Sequence, residues 1–307
     1  MKKLLFPFIL LLVLIISACS NETSGKEESS PKKEEQPKTF TYQSENGPIE
    51  VPSNPKRVIL LSGFTGNVID LGVNIVGVDV WSKNNPTFKE ELKDVAEVSD
   101  ENLEKIIELE PDLIIGLSNI KNLDKLKEIA PTVTYTWGKA DYLTQHVEIG
   151  KLLNKEKEAQ AWVDDFKTRA KTAGDEIRSK IGEDATVSVI EAYDKDLYVF
   201  GNNWARGTEI LYQAMNLKMP EKVKEMALKS GYYAISAEVL PEYAGDYVIL
   251  SKYADADQSF QETETYKNIP AVKNNRVFEM NGNGASFSDP VTLDKQLDFF
   301  KKSFLGN

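Results

Sequence analysis

Short apolar runs alternate with amphipathic stretches along most of this chain. Residues 57–61 read Arg-Val-Ile-Leu-Leu, the pattern of a strand buried on both faces. A loop punctuated by Gly63 and Gly66 follows, then a short helical stretch at 67–71 stopped by Gly72. Strand patterns recur at 74–78, 112–117 and 132–135, with helical spacing at 103–109 and 120–129 between them. The last two stretches end before Pro111 and Pro131. Strands separated by helices predict a mainly parallel sheet with helices on both faces.

From 142 to 181 the strand signal disappears and no proline occurs. Ala159, Trp162, Val163, Phe166 and Ala170 follow helical spacing. The pattern predicts a helix to Leu153, a break near Asn154, and a long helix from about 155 to 181. At 1.5 Å per residue it would run roughly 40 Å, long enough to cross between lobes. An ordinary surface helix would show the same periodicity. After Gly182 the alternation resumes, with strands at 186–192, 197–200, 246–250 and 276–280 and helices at 208–215 and 293–304. The expected fold is α/β: two Rossmann-like lobes bridged by a single long α-helix.

The start of the chain has a different pattern. Lys2 and Lys3 precede an apolar run at 4–16 broken by Pro7, followed by Ser17, Ala18 and the only cysteine, Cys19. These are the parts of a secretory signal peptide. The run is shorter than the ~20 residues of a spanning helix. A cysteine directly after small residues resembles the bacterial lipobox, in which the sulfur is acylated. An ordinary signal peptide with a chance cysteine would read the same way. Residues 20–38 hold no aromatic and no branched aliphatic side chain, so they cannot bury enough surface to order themselves. The expected organisation is a signal peptide at 1–18, a lipid-anchored linker at 19–39, an N-terminal lobe at 40–153, a bridging helix at 154–182 and a C-terminal lobe at 183–307.

Composition narrows the chemistry. With Cys19 acylated, neither a disulfide nor a cysteine nucleophile remains. His146 is the one histidine, too few for an imidazole-based zinc or copper site. It sits in a helical stretch, where a packing or solvent role is expected rather than hydrolase chemistry. The formal charge of −11 becomes −13 once Lys2 and Lys3 are removed, which offers no footprint for nucleic acid.

The two halves share an echo. Glu104 lies eight residues before Asp112, which opens a strand; Glu238 lies eight residues before Asp246, which opens another. Acids near helix starts are common, so capping alone could produce the pattern. The alternative is related lobes that each present one acid on a shared face.

The lipobox is followed in order by Pro55-Lys56-Arg57-Val58-Ile59, Leu71-Gly72-Val73-Asn74-Ile75-Val76-Gly77-Val78, Glu104-Lys105-Ile106 with Pro111-Asp112-Leu113-Ile114-Ile115, Ala130-Pro131-Thr132-Val133, Tyr266-Lys267-Asn268-Ile269-Pro270-Ala271-Val272-Lys273 and Asp289-Pro290. With these motifs in this order and spacing the chain resembles the iron-siderophore substrate-binding lipoproteins of Gram-positive ABC importers. The resemblance spans roughly residues 40–305 and implies a class III periplasmic-binding-protein-like fold with ligand between the lobes. A rigid helical bridge implies little movement on binding.

The stretch Leu197-Tyr198-Val199-Phe200-Gly201-Asn202-Asn203-Trp204-Ala205-Arg206-Gly207 resembles the second-lobe loop of ferric hydroxamate receptors, where an aromatic and an arginine face the iron complex. Three hydroxamates cancel the ferric charge, so one planar guanidinium can mark the oxygen face while rings cover the apolar arms. A tris-catecholate complex stays anionic and calls for several cations, whereas Arg206 is the only basic residue between Asp196 and Leu217. The bland alternative puts Trp204 in the core and Arg206 at the surface beside Glu209. The remaining expected ligand-binding residues are Trp137, Phe64 and Trp81, placed by the rule that open α/β sheets hold ligands beyond the carboxyl ends of strands, Tyr198, one strand length before the loop, and Phe287, two residues before the Asp289-Pro290 of the resemblance. Phe64 and Trp81 could equally be core. Relatives often carry a tyrosine at the position of Phe287, so one hydrogen bond is in doubt there.

The resemblance further implies that Glu104 and Glu238 dock onto arginines of the membrane permease. The reading is of a non-enzymatic monomer on the outer face of the cytoplasmic membrane, attached by lipid at Cys19. It has no intrinsic cofactor and no metal ligand of its own. It binds an iron(III)-siderophore complex, most simply a ferric hydroxamate, and passes it to an ABC transporter permease dimer. Alternatives on the same fold are a ferric catecholate or mixed siderophore, haem or cobalamin; an alternative of another class is a tethered structural protein with no small ligand.

Overall fold

The structure, a computed structural model, describes residues 38–306. The predicted cleavage site, Cys19 and all but the last two residues of the segment read as linker lie outside the described residues. The described chain opens with an antiparallel hairpin, Thr39–Ser44 (β1) and Gly47–Pro52 (β2). The apolar pattern does not reveal it, although Asn46-Gly47 is a hairpin turn signal. Ser44 Oγ closes the turn by donating to the Gly47 carbonyl at 2.7 Å.

Val58–Leu60 (β3), Ile75–Val78 (β4), Ala96–Glu97 (β5), Leu113–Leu117 (β6) and Thr132–Tyr135 (β7) form the first large sheet, all parallel, in the order β5-β4-β3-β6-β7. Residues of β3 and β7 are buried throughout, which is why their sequences are continuous apolar or small-polar runs rather than alternating ones. The second sheet holds Val187–Tyr193 (β8), Asp196–Phe200 (β9), Tyr232–Ile235 (β10), Tyr247–Lys252 (β11) and Val277–Asn281 (β12), in the order β10-β9-β8-β11-β12. Here β8, β11 and β12 are parallel, while β9 and β10 run antiparallel to their neighbours. The chain is thus two α/β lobes, as the alternation predicts, with one regular and one mixed sheet.

The long helix is Glu156–Ile181, 26 residues. Asn154, at a left-handed φ of 57°, separates it from the helix Tyr142–Leu152. Its apolar face serves both lobes in turn. Ala159 lies in the core of the first lobe, while Val163, Phe166, Ala170, Ala173 and Ile177 lie in that of the second. Phe166 is fully buried, and truncating such a ring costs about 3–5 kcal/mol.

Two further helices join the same seam. Tyr142–Leu152 places Leu143 in the second core and Ile149 and Leu152 in the first. The closing helix, Pro290–Leu305, packs Val291 on the first core and Leu293, Leu297, Phe300 and Phe304 in the second. Its N-cap, Asp289, is buried, and its carboxylate accepts from Thr292 N and Thr292 Oγ1 at 3.0 and 2.9 Å. Gly66 of the first lobe lies against that carboxylate; a Cβ there would stand 1.7 Å from Asp289 Oδ1. Lys295 Nζ then donates to the Thr87 carbonyl at 2.6 Å. Asp294 ties this helix to the long one by accepting from Trp162 Nε1 and Arg169 Nη2 at 3.1 and 2.8 Å. The lobes are therefore held by three packed helices, a seam stiffer than one helix alone.

The segment 208–215 is helical as expected, but Glu209–Ala214 is a π-helix. Met215 N reaches back five residues to the Ile210 carbonyl at 2.7 Å. Hydrophobic period cannot distinguish that wider turn from an α-helix, and π turns cluster at functional sites.

Candidate functional site

A cleft of about 940 Å³ lies between the lobes, within the range of small-molecule sites. Phe64, Trp81, Trp137, Tyr198, Trp204, Arg206 and Phe287 all line it, so the structure gathers every residue the sequence proposes for ligand contact around one space.

The first lobe supplies its residues from loops after parallel strands. Phe64 follows β3 and is both core and cleft: it is 6% exposed and meets Tyr135 edge-on at 5.3 Å. Trp81 follows β4 and is 57% exposed; Asp79 caps its helix by accepting from Trp81 N and Ser82 N at 2.9 and 3.1 Å. Trp137 follows β7 and is 64% exposed. Its ring nevertheless meets Trp204 of the opposite lobe at 6.1 Å and 77°, an edge-to-face pair that spans the cleft. Trp204 then meets Tyr232 at 5.2 Å, and Tyr232 meets Tyr198 at 6.0 Å.

The second lobe holds Trp204 and Arg206 on a constrained loop. Ala205, Arg206 and Gly207 have φ of 58°, 56° and 78°. Non-glycine residues there cost roughly 1 kcal/mol or more each and persist only when surroundings fix them. The fixing contacts are explicit. Arg206 N donates to the Ala285 carbonyl at 2.8 Å, Trp204 N to Thr208 Oγ1 at 3.0 Å, and Ala205 N to Glu209 Oε1 at 3.0 Å. Burial pushes the Glu209 carboxyl above its usual range. Gly231, at φ 88°, lies under the Trp204 ring; a Cβ would stand 2.4 Å from it.

The guanidinium is not free. Arg206 Nε and Nη2 each donate to Glu191 at 2.9 Å, and Nη1 donates to the Trp204 carbonyl at 3.2 Å. It also lies over Phe200, 4.9 Å from the ring centre. Burial opposes its charge, and hydrogen bonding to Glu191 outweighs that, so Arg206 titrates above its ordinary value. A guanidinium has five N–H donors; with three committed, two remain for a ligand. The expected lone donor is thus one half of a bidentate pair.

Phe287 packs on the first core and meets Phe88 at 6.0 Å. Close by, Tyr253 and Ser286 hydroxyls lie 2.7 Å apart, and Ser286 Oγ donates to the Gly282 carbonyl at 2.7 Å. Tyr253 must then donate to Ser286, leaving its oxygen an acceptor. Burial raises its pKa.

Sequence reading misses Tyr193, Tyr232, Tyr253 and Glu191, all of which line the cleft. Tyr193 ends β8 and Tyr253 follows β11, so the strand-end rule could have found both. Glu191 stands inside a buried strand, and a buried charge demands a partner.

Glu104 and Glu238 are exposed and lie outside the cleft lining. Their partners in the echo have a structural task. Asp112 accepts from Lys56 N and Arg57 N at 2.6 and 2.9 Å, pinning the start of β3; Asp246 accepts from Thr186 N and Oγ1 at 2.8 and 2.9 Å, just before β8. His146 is fully buried. Asn67 Nδ2 lies 3.2 Å from its Nδ1, Asp70 lies 3.3 Å from its Nε2 but out of line, and its ring meets Trp162 at 5.3 Å. No serine borders it among those contacts. Among the described residues no group of three His, Cys, Asp or Glu could hold a metal ion. The cleft sets aromatic rings from both lobes around one buried ion pair.

Residues 59–283 match the family of periplasmic binding proteins. The chain is 36% identical over 303 residues to the iron(3+)-hydroxamate-binding protein FhuD of Bacillus subtilis, covering 96% of this chain and 95% of that one. It is 37% identical over 309 residues to the iron(3+)-hydroxamate-binding protein YxeB of the same organism, covering 97% and 95%. The structure of FhuD2 from Staphylococcus aureus with bound ferrioxamine B superposes with a TM-score of 0.78 at 33% identity, covering 82% of this chain and 99% of that one.

Proposed function

The chain belongs to the periplasmic binding protein family, and from that premise we propose that it is a receptor for an iron(III)-hydroxamate siderophore, which it delivers to an ABC permease. The observation that carries this is the cleft, walled by six of the proposed aromatics around a single cation. A tris-hydroxamate complex is neutral at its iron centre, so it needs apolar cover and few donors, which matches two free guanidinium N–H groups among rings. The iron is cargo, already chelated.

On this reading the functional division is a signal peptide at 1–18, a linker at 19–39, and lobes at 40–153 and 183–307 on either side of 154–182. Acylated Cys19 holds a monomeric receptor at the outer face of the membrane and keeps it at high local concentration near its permease. Glu104 and Glu238, one exposed acid per lobe, dock onto cations of the permease dimer.

Three of the four tryptophans line the cleft, so fluorescence gives the test. Ferric ferrioxamine- and ferrichrome-type complexes are expected to quench it saturably; no quenching by any ferric hydroxamate sinks the proposal. In the same protein, Glu104→Ala with Glu238→Ala is expected to abolish cellular uptake and leave quenching intact. Lost quenching would move those acids out of the docking role.

A further inference from the structure

Arg206 reaches the cleft with its charge already balanced. Glu191 is 2% exposed, and both of its oxygens accept from the guanidinium at 2.9 Å. Ser251 Oγ adds a third donor to Glu191 at 2.8 Å. Such a forked pair fixes the guanidinium plane as well as its charge. No other lysine or arginine lines the cleft among the described residues, while Asp79 and Asp141 add carboxylates on the opposite wall. Each of those caps a helix, and neither has an ion-pair partner among the described residues.

From this geometry we infer that Glu191 is the residue that sets charge selectivity. By neutralising Arg206 it lets the cleft accept an iron complex without net negative charge and reject an anionic one. The inference rests on the ferric hydroxamate reading of the cleft. Its physical basis is simple. A neutral complex can take the two remaining N–H donors without meeting a net field. A ferric tris-catecholate, which is strongly anionic, meets no uncompensated cation and faces the carboxylates of Asp79 and Asp141, with Glu209 also lining the cleft on the Arg206 side. Charge interactions in such a low-dielectric space are far stronger than in water. Removing the Glu191 charge would expose one unit of positive charge at the centre of the site. It would also free the guanidinium fork to turn toward an anion.

The test compares two ligands on two variants. Affinities for a ferric tris-hydroxamate and a ferric tris-catecholate are measured by tryptophan quenching, at low and high salt, for the wild type, Glu191→Gln and Glu191→Asp. In Glu191→Gln the hydroxamate-to-catecholate preference is expected to fall by at least about tenfold, roughly one unit of logarithmic discrimination. The catecholate share of that change should shrink at high salt. Glu191→Asp keeps the charge on a shorter arm, so both affinities should drop while the preference holds. That separates charge from mere support of the loop. An unchanged preference in Glu191→Gln overturns the inference, as does an equally large change in Glu191→Asp. If Glu191→Gln does not fold, the Asp variant alone decides: a retained preference supports the inference and a lost one defeats it. Absence of hydroxamate binding in the wild type would defeat the earlier reading instead, and would be visible before any variant is made.

Discussion

The two lobes meet the same cleft with different equipment. The first has an all-parallel sheet and offers Phe64, Trp81 and Trp137 from strand-end loops. The second ends its sheet at one edge with antiparallel β9 and β10, places three left-handed residues and a π-helix between those two strands, and holds the only lysine or arginine that lines the cleft among the described residues. The first lobe therefore contributes shape, and the second contributes chemistry at the expense of regularity. Irregular backbone is stored where a polar group must be aimed, and here it surrounds Arg206.

The largest effect should come from cutting into that difference. Arg206→Ala leaves Glu191 buried without its partner, a change that costs about 3–5 kcal/mol of stability. It should also weaken hydroxamate binding by about 1.5–3 kcal/mol, the value of a hydrogen bond to a charged group. Trp137→Ala on the other wall removes an exposed ring, so folding should change by less than about 0.5 kcal/mol. Its ligand affinity should still fall, by about 1 kcal/mol, with the lost aromatic contact. Chemical denaturation and quenching titrations of both variants check this. Equal destabilisation by the two would remove the distinction between shape and chemistry.

A smaller effect belongs to the seam that joins the lobes. Burial pushes the Asp289 carboxyl from 3.8 up to about 6. Its folded pKa lies above its unfolded one, so the folded state holds the proton more tightly. That contribution is greatest at low pH and is lost as pH rises through about 4 to 6. By linkage it amounts to on the order of 2–3 kcal/mol across the window. Asp289→Asn cannot ionise and can still cap the closing helix. The variant should therefore gain on the wild type as pH rises from 5 to 7.5, read as a widening difference in Tm. Glu209, also raised by burial, is common to both proteins and does not alter the difference. A constant gap would show that Asp289 is solvated or paired in solution.

How far this asymmetry was legible in the sequence follows the same division. The regular lobe reads well because β3, β6 and β7 are buried runs punctuated by Gly72, Pro111 and Pro131. The long helix reads well because its apolar face keeps one period while changing partner from one core to the other. The mixed lobe reads less well. In β10, Tyr232, Tyr233 and Ala234 are exposed, so the strand carries no core signal and is specified by its pairing with β9. The π-helix has the same residues at nearly the same spacing as an α-helix and differs only in hydrogen bonding. Trp137 and Trp204 were legible as aromatics in loops with Gly138 and with Gly201, Asn202 and Asn203, whereas Tyr193, Tyr232 and Tyr253, at strand ends or on the exposed β10, were not. Glu191 was the hidden member. Its neighbours Val189, Ile190 and Ala192 are all buried, and a lone acid in such a run is a sign of an internal ion pair whose partner lies elsewhere in the chain.

The smallest effect tests where the lobes agree. Asp112 and Asp246 occupy equivalent places and both tie down the start of a neighbouring strand, yet they do so with different atoms. Asp112 uses both oxygens: Oδ2 accepts from Lys56 N and Oδ1 from Arg57 N. Asp246 uses Oδ2 alone, for Thr186 N and Thr186 Oγ1, and Thr186 Oγ1 also accepts from Asp246 N at 3.1 Å. An asparagine has one carbonyl oxygen. In Asp246→Asn that oxygen can turn to Thr186 and keep both contacts. In Asp112→Asn the amide must set an N–H against one backbone N–H, and that donor loses its acceptor. Both sites are near solvent, which limits the penalty. Asp112→Asn should cost about 1 kcal/mol, the value of one ordinary hydrogen bond, and Asp246→Asn only a few tenths, within the usual range for surface changes. Denaturant midpoints at constant m-value resolve that difference. Equal costs would mean that the repeated acids act through their charge and not through the atoms they present.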